Sequence, residues 1–519
     1  MRTFPWAILV ALAWAIRPAY ARPPAGATPP SATTAAEIKA GAAPAAGADS
    51  KAAAPVVPAP APPESPLVAP PDTDQRMDSG LEKLRSGDFK NAAAIFYDVY
   101  RKLPLIDSRR DQASYHLAVC LANLGLTQAA VEHYLEIVSG RRSPELMDSA
   151  LTALKPMYEQ RLVGEGRFVE GVLYGTQFTG LSPEVADFVE TLQGLTDIRH
   201  RFFKWGRARL ELLAQSNRPH SFSARYALAV EKIARHEDDA AAKDLNAIVE
   251  SKANLPFEVR NQARLALGRI FYEKKQYEDA WRMYRSIDSP LPLQDVVMVE
   301  RAWDRVASGE QQRALGLLVG LEAPVFHTVF APERYLIRGI ALRRICQYRA
   351  AHLATNAFRA HYRDVLEKIK NRASLRDDPT IRSWAVEGTP SLRAASRIQG
   401  ILTREKGALD VVADKPLRAH METIYTSALT TTNRAIERDI ADAVDKVADE
   451  LLRIDEQMSL VDYEMGAGLF KSGEGNALGA PKSIDIPQGT DEVYFKFDGE
   501  YWSDELADFS VLATDRCVR

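Results

Sequence analysis

Nine histidines are scattered through the 519-residue chain, and none stands in the His-Glu-x-x-His spacing that puts two imidazoles on one helical face for zinc. His116 and His133 fall on adjacent helices of one segment without a third ligand, so both read as packing residues. Gly473, Glu474, Gly475 and Gly479 have the outline of a phosphate-cradling loop. They follow a helical stretch instead of a strand, however, and lack the Lys-Ser/Thr pair that reaches phosphate and its metal. No Gly-x-Ser-x-Gly nucleophile elbow occurs. The carboxylate pairs Asp238-Asp239, Asp377-Asp378 and Asp449-Glu450 have the character of solvated helix and loop residues, with nothing to converge them on a dry pocket. The sequence therefore predicts no catalytic residue, no cofactor and no metal site. What remains is recognition. Tyr494, Tyr501 and Trp502 are the candidate partner-binding residues, and they either cap the last helices or form a docking edge.

Three cysteines exclude a disulfide-stapled mini-fold and allow at most one internal bridge. Cys120 lies among Leu117, Ala118 and Leu121 and reads as a small core residue. Cys517 would reach Cys346 if the C-terminal tail folds back. Composition points the same way, toward a globular chain: 46% hydrophobic and 26% charged, with a net charge of -3. Its 66 basic and 69 acidic residues are mixed along the length, which argues against nucleic acid as a partner.

The N-terminus reads as an address. Residues 6–16 (WAILVALAWAI) are an apolar run too short for the roughly 20 residues that span a bilayer. Ala19-Tyr20-Ala21 then supplies the small-x-small pattern of a signal peptidase site, so residues 1–21 are a signal peptide cut after Ala21, leaving a chain with no membrane span. Residues 22–75 hold 13 of the 30 prolines and no aromatic residue. Such a stretch cannot bury enough surface to offset its ordering entropy and is expected to be an unfolded tether or spacer.

From residue 76 the chain repeats. Gly80, Gly87, Phe89, Ala92, Phe96 and Pro104 mark one unit, and Leu267-Gly268, Phe271, Tyr277, Ala280, Tyr284 and Pro292 mark another with the shared positions at matching spacings. Small residues let two antiparallel helices approach, and aromatics fill the gap beside them. The register continues through Ala92, Ala130, Gly171, Gly206, Ala242, Ala280, Ala314 and Ala351. A bulky residue precedes five of these, as Phe89, Phe168, Phe203, Tyr277 and Tyr348, while Thr127, Asp239 and Gln311 depart from the pattern. This pattern resembles the tetratricopeptide repeat, whose period is about 34 residues. The resemblance implies an all-α protein with a right-handed superhelical solenoid of about eight helix pairs over residues 76–362.

Residues 363–470 keep helical periodicity without the repeat. Ile440, Val447, Ile454 and Val461 recur every seven residues, and Val444, Leu451, Met458 and Met465 do so four places on. Leu452 and Leu460 widen the stripe, which favours docking on the chain's own helices over a two-stranded coil. Residues 471–519 read as a glycine-rich loop and a β-hairpin, residues 491–502 (DEVYFKFDGEYW) turning at Asp498-Gly499.

Tetratricopeptide proteins are scaffolds. An exported member with a proline-rich leader looks like the periplasmic scaffolds of Gram-negative envelope machines for motility, secretion or polysaccharide export, the gliding-motility type being the most specific expectation. The implied function is a non-catalytic periplasmic scaffold, monomeric within a larger complex and binding other envelope proteins. The alternatives are an envelope enzyme of the peptidoglycan-lyase type, in which a helical superhelix carries the catalytic part, and an outer-membrane assembly subunit.

Overall fold

The computed structural model describes residues 69–216, 220–253, 255, 257–287, 291–326, 329–371, 373–471 and 509–517. The predicted signal peptide, the proline-rich leader and the predicted β-hairpin with Tyr494, Tyr501 and Trp502 lie outside them. Among the described residues the fold is all-α, no strand is present, and no helix is long and apolar enough to cross a membrane.

Eight helical hairpins follow one another. They pair α1 (Thr73–Arg85) with α2 (Phe89–Lys102), α3 (Ser108–Asn123) with α4 (Thr127–Gly140), and α5 (Pro144–Glu159) with a π-helical segment (Gly166–Leu173). Next come α6 (Pro183–Arg199) with α7 (Phe203–Ala214), and α8 (Ser221–Ala234) with α9 (Asp238–Val249). The last three are α10 (Phe257–Glu273) with α11 (Tyr277–Arg285), α12 (Leu291–Ser308) with α13 (Gln311–Gly320), and α14 (Glu333–Arg344) with α15 (Tyr348–His361).

One turn geometry recurs in all eight. A residue one or two places past the end of each first helix takes positive φ: Gly87, Gly125, Arg161, Arg201, His236, Lys275, Gly309 and Cys346. The next residue then donates its N–H back into the last turn of the helix, as Asp88 does to Lys83 at 2.9 Å, Leu126 to Leu121 at 2.9 Å and Gln347 to Leu342 at 2.9 Å. This is the left-handed helix stop that satisfies orphan carbonyls and reverses the chain. Glycine supplies it freely at three turns. The five other side chains accept it at a cost of order 1 kcal/mol each, so the reversal is imposed by packing of the hairpin and not by the turn residue alone.

Small residues set the approach within each hairpin. A Cβ on Gly80 would stand 2.7 Å from the Phe96 ring, and one on Gly268 would stand 2.5 Å from Tyr284. Seven of the eight register positions are buried, on α2, α4, α7, α9, α11, α13 and α15. Gly171 is the exception and faces out. The π-helical winding around it carries more residues per turn than an α-helix, so the register slips and Phe168, Val169 and Leu173 turn inward instead. Successive hairpins are also joined by ion pairs a repeat apart, including Lys155–Glu184, Arg199–Glu165 and Arg269–Glu300, each at 2.5 Å.

After α15 the chain changes character. The helices α16 (Arg363–Lys370), α17 (Pro379–Gly388) and α18 (Pro390–Gly407) lead into α19 (Lys415–Lys471), whose 57 residues extend about 85 Å. Helix α19 packs on α4 of the second hairpin near its start and on α14 and α15 of the eighth further along, as well as on α16, α17 and α18. Leu417, Met421, Tyr425 and Ala428 belong to the core of the first six hairpins, and Ile436 to Met465 to the core of the last two. All eight seam residues from Ile440 to Met465 are buried against this chain's own helices. Leu452 is half-buried, but Leu460 is exposed and does not widen the stripe as its sequence spacing suggested.

Residues 509–517 return as a strap. The Val511 N–H donates to the Gln312 carbonyl at 3.0 Å and the Arg516 N–H to that of Ile345 at 3.0 Å. Gln312 and Gln347 donate from their side chains to Ala513 and Thr514, each at 2.8 Å. Cys517 is disulfide-bonded to Cys346 at the turn of the eighth hairpin, while Cys120 is free and buried.

Candidate functional site

Two places on the described chain carry more than packing. One is the contact that brings α19 onto the first two hairpins. His420 of α19 stacks on Tyr97 with ring centroids 4.9 Å apart and lies 5.5 Å from His133 of α4. His133 is 2% exposed, with Nδ1 3.0 Å from the Ser114 hydroxyl. Arg110 donates to the carbonyls of Tyr100 and Leu103 and lies over the Tyr100 ring, whose hydroxyl donates to Glu136 at 2.8 Å. The Nε2 atoms of His133 and His420 are both buried without a hydrogen-bond partner. Burial, with the Arg110 charge nearby, pushes His420 down to about 4, and burial, His420 and Arg110 together push His133 down to about 3. Both imidazoles are therefore neutral at pH 7. Beside them Glu405 accepts from the Gln128 N–H at 2.9 Å and the Tyr425 hydroxyl at 2.7 Å. Burial raises its carboxyl despite these bonds.

Sequence reading placed His133 correctly as a packing residue, and His116 likewise stacks on Phe96 at 5.1 Å. It missed His420, because nothing in a lone histidine on a long helix announces a partner so far away in the chain.

The other place is an exposed apolar stripe on the fourth hairpin. Gly206, Leu210 and Leu213 bury the inner face of α7. A Cβ on Gly206 would stand 2.7 Å from the Gly194 carbonyl, so α6 and α7 are in near-backbone contact. The outer face carries Trp205, Ala208 and Leu212 at three- and four-residue steps, with Phe202 at its edge. Phe202 is 53% exposed, Trp205 68% and Leu212 75%. Arg201 and Lys204 flank the stripe, both exposed, and form no ion pair among the described residues. Glu211 is the exposed acid on the same helix, whereas Arg207 is paired with Glu231 and Arg209 with Glu190 and Asp197. A helix apolar on both faces was legible in FKWGRARLELL, but the repeat register drew attention only to Phe203 and Gly206, its inner positions.

Large apolar side chains are also exposed on the last turns of α19, at Leu460, Tyr463 and Phe470. Among the described residues no group of three or more His, Cys, Asp and Glu is placed to hold a metal ion. No family model, curated protein or solved structure matches this chain.

Proposed function

We propose that this chain is an exported, non-catalytic scaffold whose hairpins form a tetratricopeptide-like right-handed solenoid and bind other proteins of a cell-envelope machine. The observation that carries the reading is the eightfold recurrence of a helical hairpin with one turn geometry, as in proteins built of stacked repeat units with a long accessible surface. The Cys346–Cys517 bridge supports export, since such bonds persist in oxidising compartments. Helix α19 occupies part of the surface at hairpins one, two and eight, so partner binding is assigned to the hairpins between. In this reading residues 1–21 direct export to the periplasm and residues 22–75 tether the folded part at a distance from its exit point. Motility, secretion and polysaccharide export are the candidate machines.

Crosslinking in intact envelopes followed by capture of the chain tests the proposal. A discrete set of envelope-machine proteins is expected. Turnover of muropeptides by the purified protein, with no such set recovered, would reassign it to the lyase class.

A further inference from the structure

The outer face of α7 points to a surface that touches lipid. Trp205 and Leu212 stand out from one short helix, and Phe202 stands out at its N-cap. Trp205 has an amphipathic ring of the kind that sits at headgroup level, and Phe202 and Leu212 are purely apolar. Arg201 and Lys204 lie beside them without an ion-pair partner among the described residues, and long cationic side chains of this kind keep their charge at the headgroups while their stems lie along apolar surface.

We propose that this face is a peripheral membrane contact, in which Phe202, Trp205 and Leu212 enter the headgroup–acyl boundary of an anionic bilayer and Arg201 and Lys204 pair with its charge. The partner follows from charge complementarity. Among the described residues the face carries two cations without ion pairs against one acid on the same helix, Glu211, and anionic headgroups supply the missing counter-charge. Its position on the fourth hairpin, away from the helix α19 contacts on hairpins one, two and eight, leaves it free whether or not α19 is docked. The contact is shallow and reversible, as expected for a few side chains without a lipid anchor. It does not depend on the scaffold reading: a scaffold can fail to bind lipid, and a lipid-binding chain can lack protein partners.

Co-sedimentation of the signal-free full chain with vesicles tests it. Vesicles of phosphatidylcholine alone are compared with vesicles containing 30% phosphatidylglycerol, at about 0.1 M salt. Binding is expected only to the anionic vesicles. Arg201→Asn with Lys204→Gln is expected to weaken it by about thirty-fold, from roughly a factor of five to six per cation. Trp205→Ala with Leu212→Ala is expected to weaken it by at least about ten-fold. Both pairs change exposed side chains, so circular dichroism should show the parent fold, and Asn at position 201 tolerates the positive φ. Absence of binding to the anionic vesicles, or parental binding by either variant, overturns the proposal. Loss of a protein crosslink in the Trp205 variant without any vesicle binding would also overturn it, and would give the face to a protein partner.

Discussion

Residues 417–428 and residues 436–465 of α19 dock on opposite ends of the hairpin series by different chemistry. The first set enters through Leu417, Met421 and Tyr425 beside polar groups: neutral His420 against neutral His133, and Tyr425 donating to the Glu405 carboxyl. The second set is an apolar seam with ion pairs around its rim. Arg359 reaches Asp462 at 2.7 Å, Lys370 reaches Asp455 at 2.9 Å, Arg453 reaches Glu333 at 3.0 Å and Arg343 reaches Glu464 at 3.0 Å. A contact that buries neutral titratable groups answers to pH, whereas one rimmed by half-exposed charges answers weakly to salt. One helix thus carries two fastenings with separate sensitivities.

The seam is where the comparison breaks most readily. Val447 and Ile454 are buried at 7% and 0% exposure, so Val447→Lys with Ile454→Lys places two unpaired charges in the second core. The cost is several kcal/mol, on the order of 3–5. Circular dichroism and limited proteolysis should show the C-terminal helices lost while the first hairpins persist. Survival of a fully folded monomer would mean that the seam is not held by its own chain.

Acid should release the other fastening first. His133 and His420 have folded-state values near 3 and 4 against an unfolded value of 6.5, so the unfolded state binds more protons between those limits. Stability from this pair is complete above about pH 6.5 and declines as pH falls toward 4. At pH 5 the loss is roughly 2 kcal/mol for the fully buried His133 and less for the half-buried His420. Asp462 is shifted down as well, but from a lower starting value, so its pH window lies lower. Burial alone would raise its carboxyl, but hydrogen bonds from Thr355, His352 and Arg359 outweigh burial and hold it below 3.8. Its pairing is therefore present above about pH 3.8 and survives at pH 5. Hydrogen exchange, corrected for intrinsic rate, should show residues 417–428 losing protection between pH 7.5 and 5 while residues 436–465 keep it. Equal loss in both would contradict the division, and His420→Leu should flatten the response.

A smaller effect separates α19 from the hairpins themselves. Gly268→Leu drives a side chain into Tyr284 and should cost about 1–3 kcal/mol. Because each hairpin couples to its neighbours, the damage should centre on α10 and α11, read by exchange in those peptides. A uniform loss of protection from α1 to α15 would show a single cooperative block instead. Least of all, raising sodium chloride from 0.1 to 1 M should cost the rim pairs of α19 below about 1 kcal/mol each, with no change at the histidine contact. Thermal melting of the parent and of Arg359→Gln at both salts measures it.

Much of the hairpin series was legible because contact residues within a unit lie close in sequence. Ala92, Ala280 and Ala351 are where small residues must be for two helices to meet, and Phe96 and Tyr284 are the aromatics above Gly80 and Gly268. The turns were harder to see. Arg161, Arg201, His236, Lys275 and Cys346 hold a conformation that sequence reading assigns to glycine, so packing overrides local preference at five turns of eight. At Gly171 a change of helical winding, invisible in spacing, carried the expected small residue to the surface. The seam of α19 was readable as a stripe, but its counterpart was not. Gln128 meets Glu405 across 277 residues, and no local pattern encodes such a meeting.

The bond between Cys346 and Cys517 turns the last third of the chain into a covalent ring. Helices α15 to α19 lie on that ring, so a single cut of the backbone anywhere between residues 347 and 516 opens it without shedding a fragment. A cut upstream of residue 346, by contrast, divides the molecule in two. Under proteolysis the region holding the long helix is thereby the part that tolerates a nick. The nicked and intact forms would migrate alike until a reductant is added.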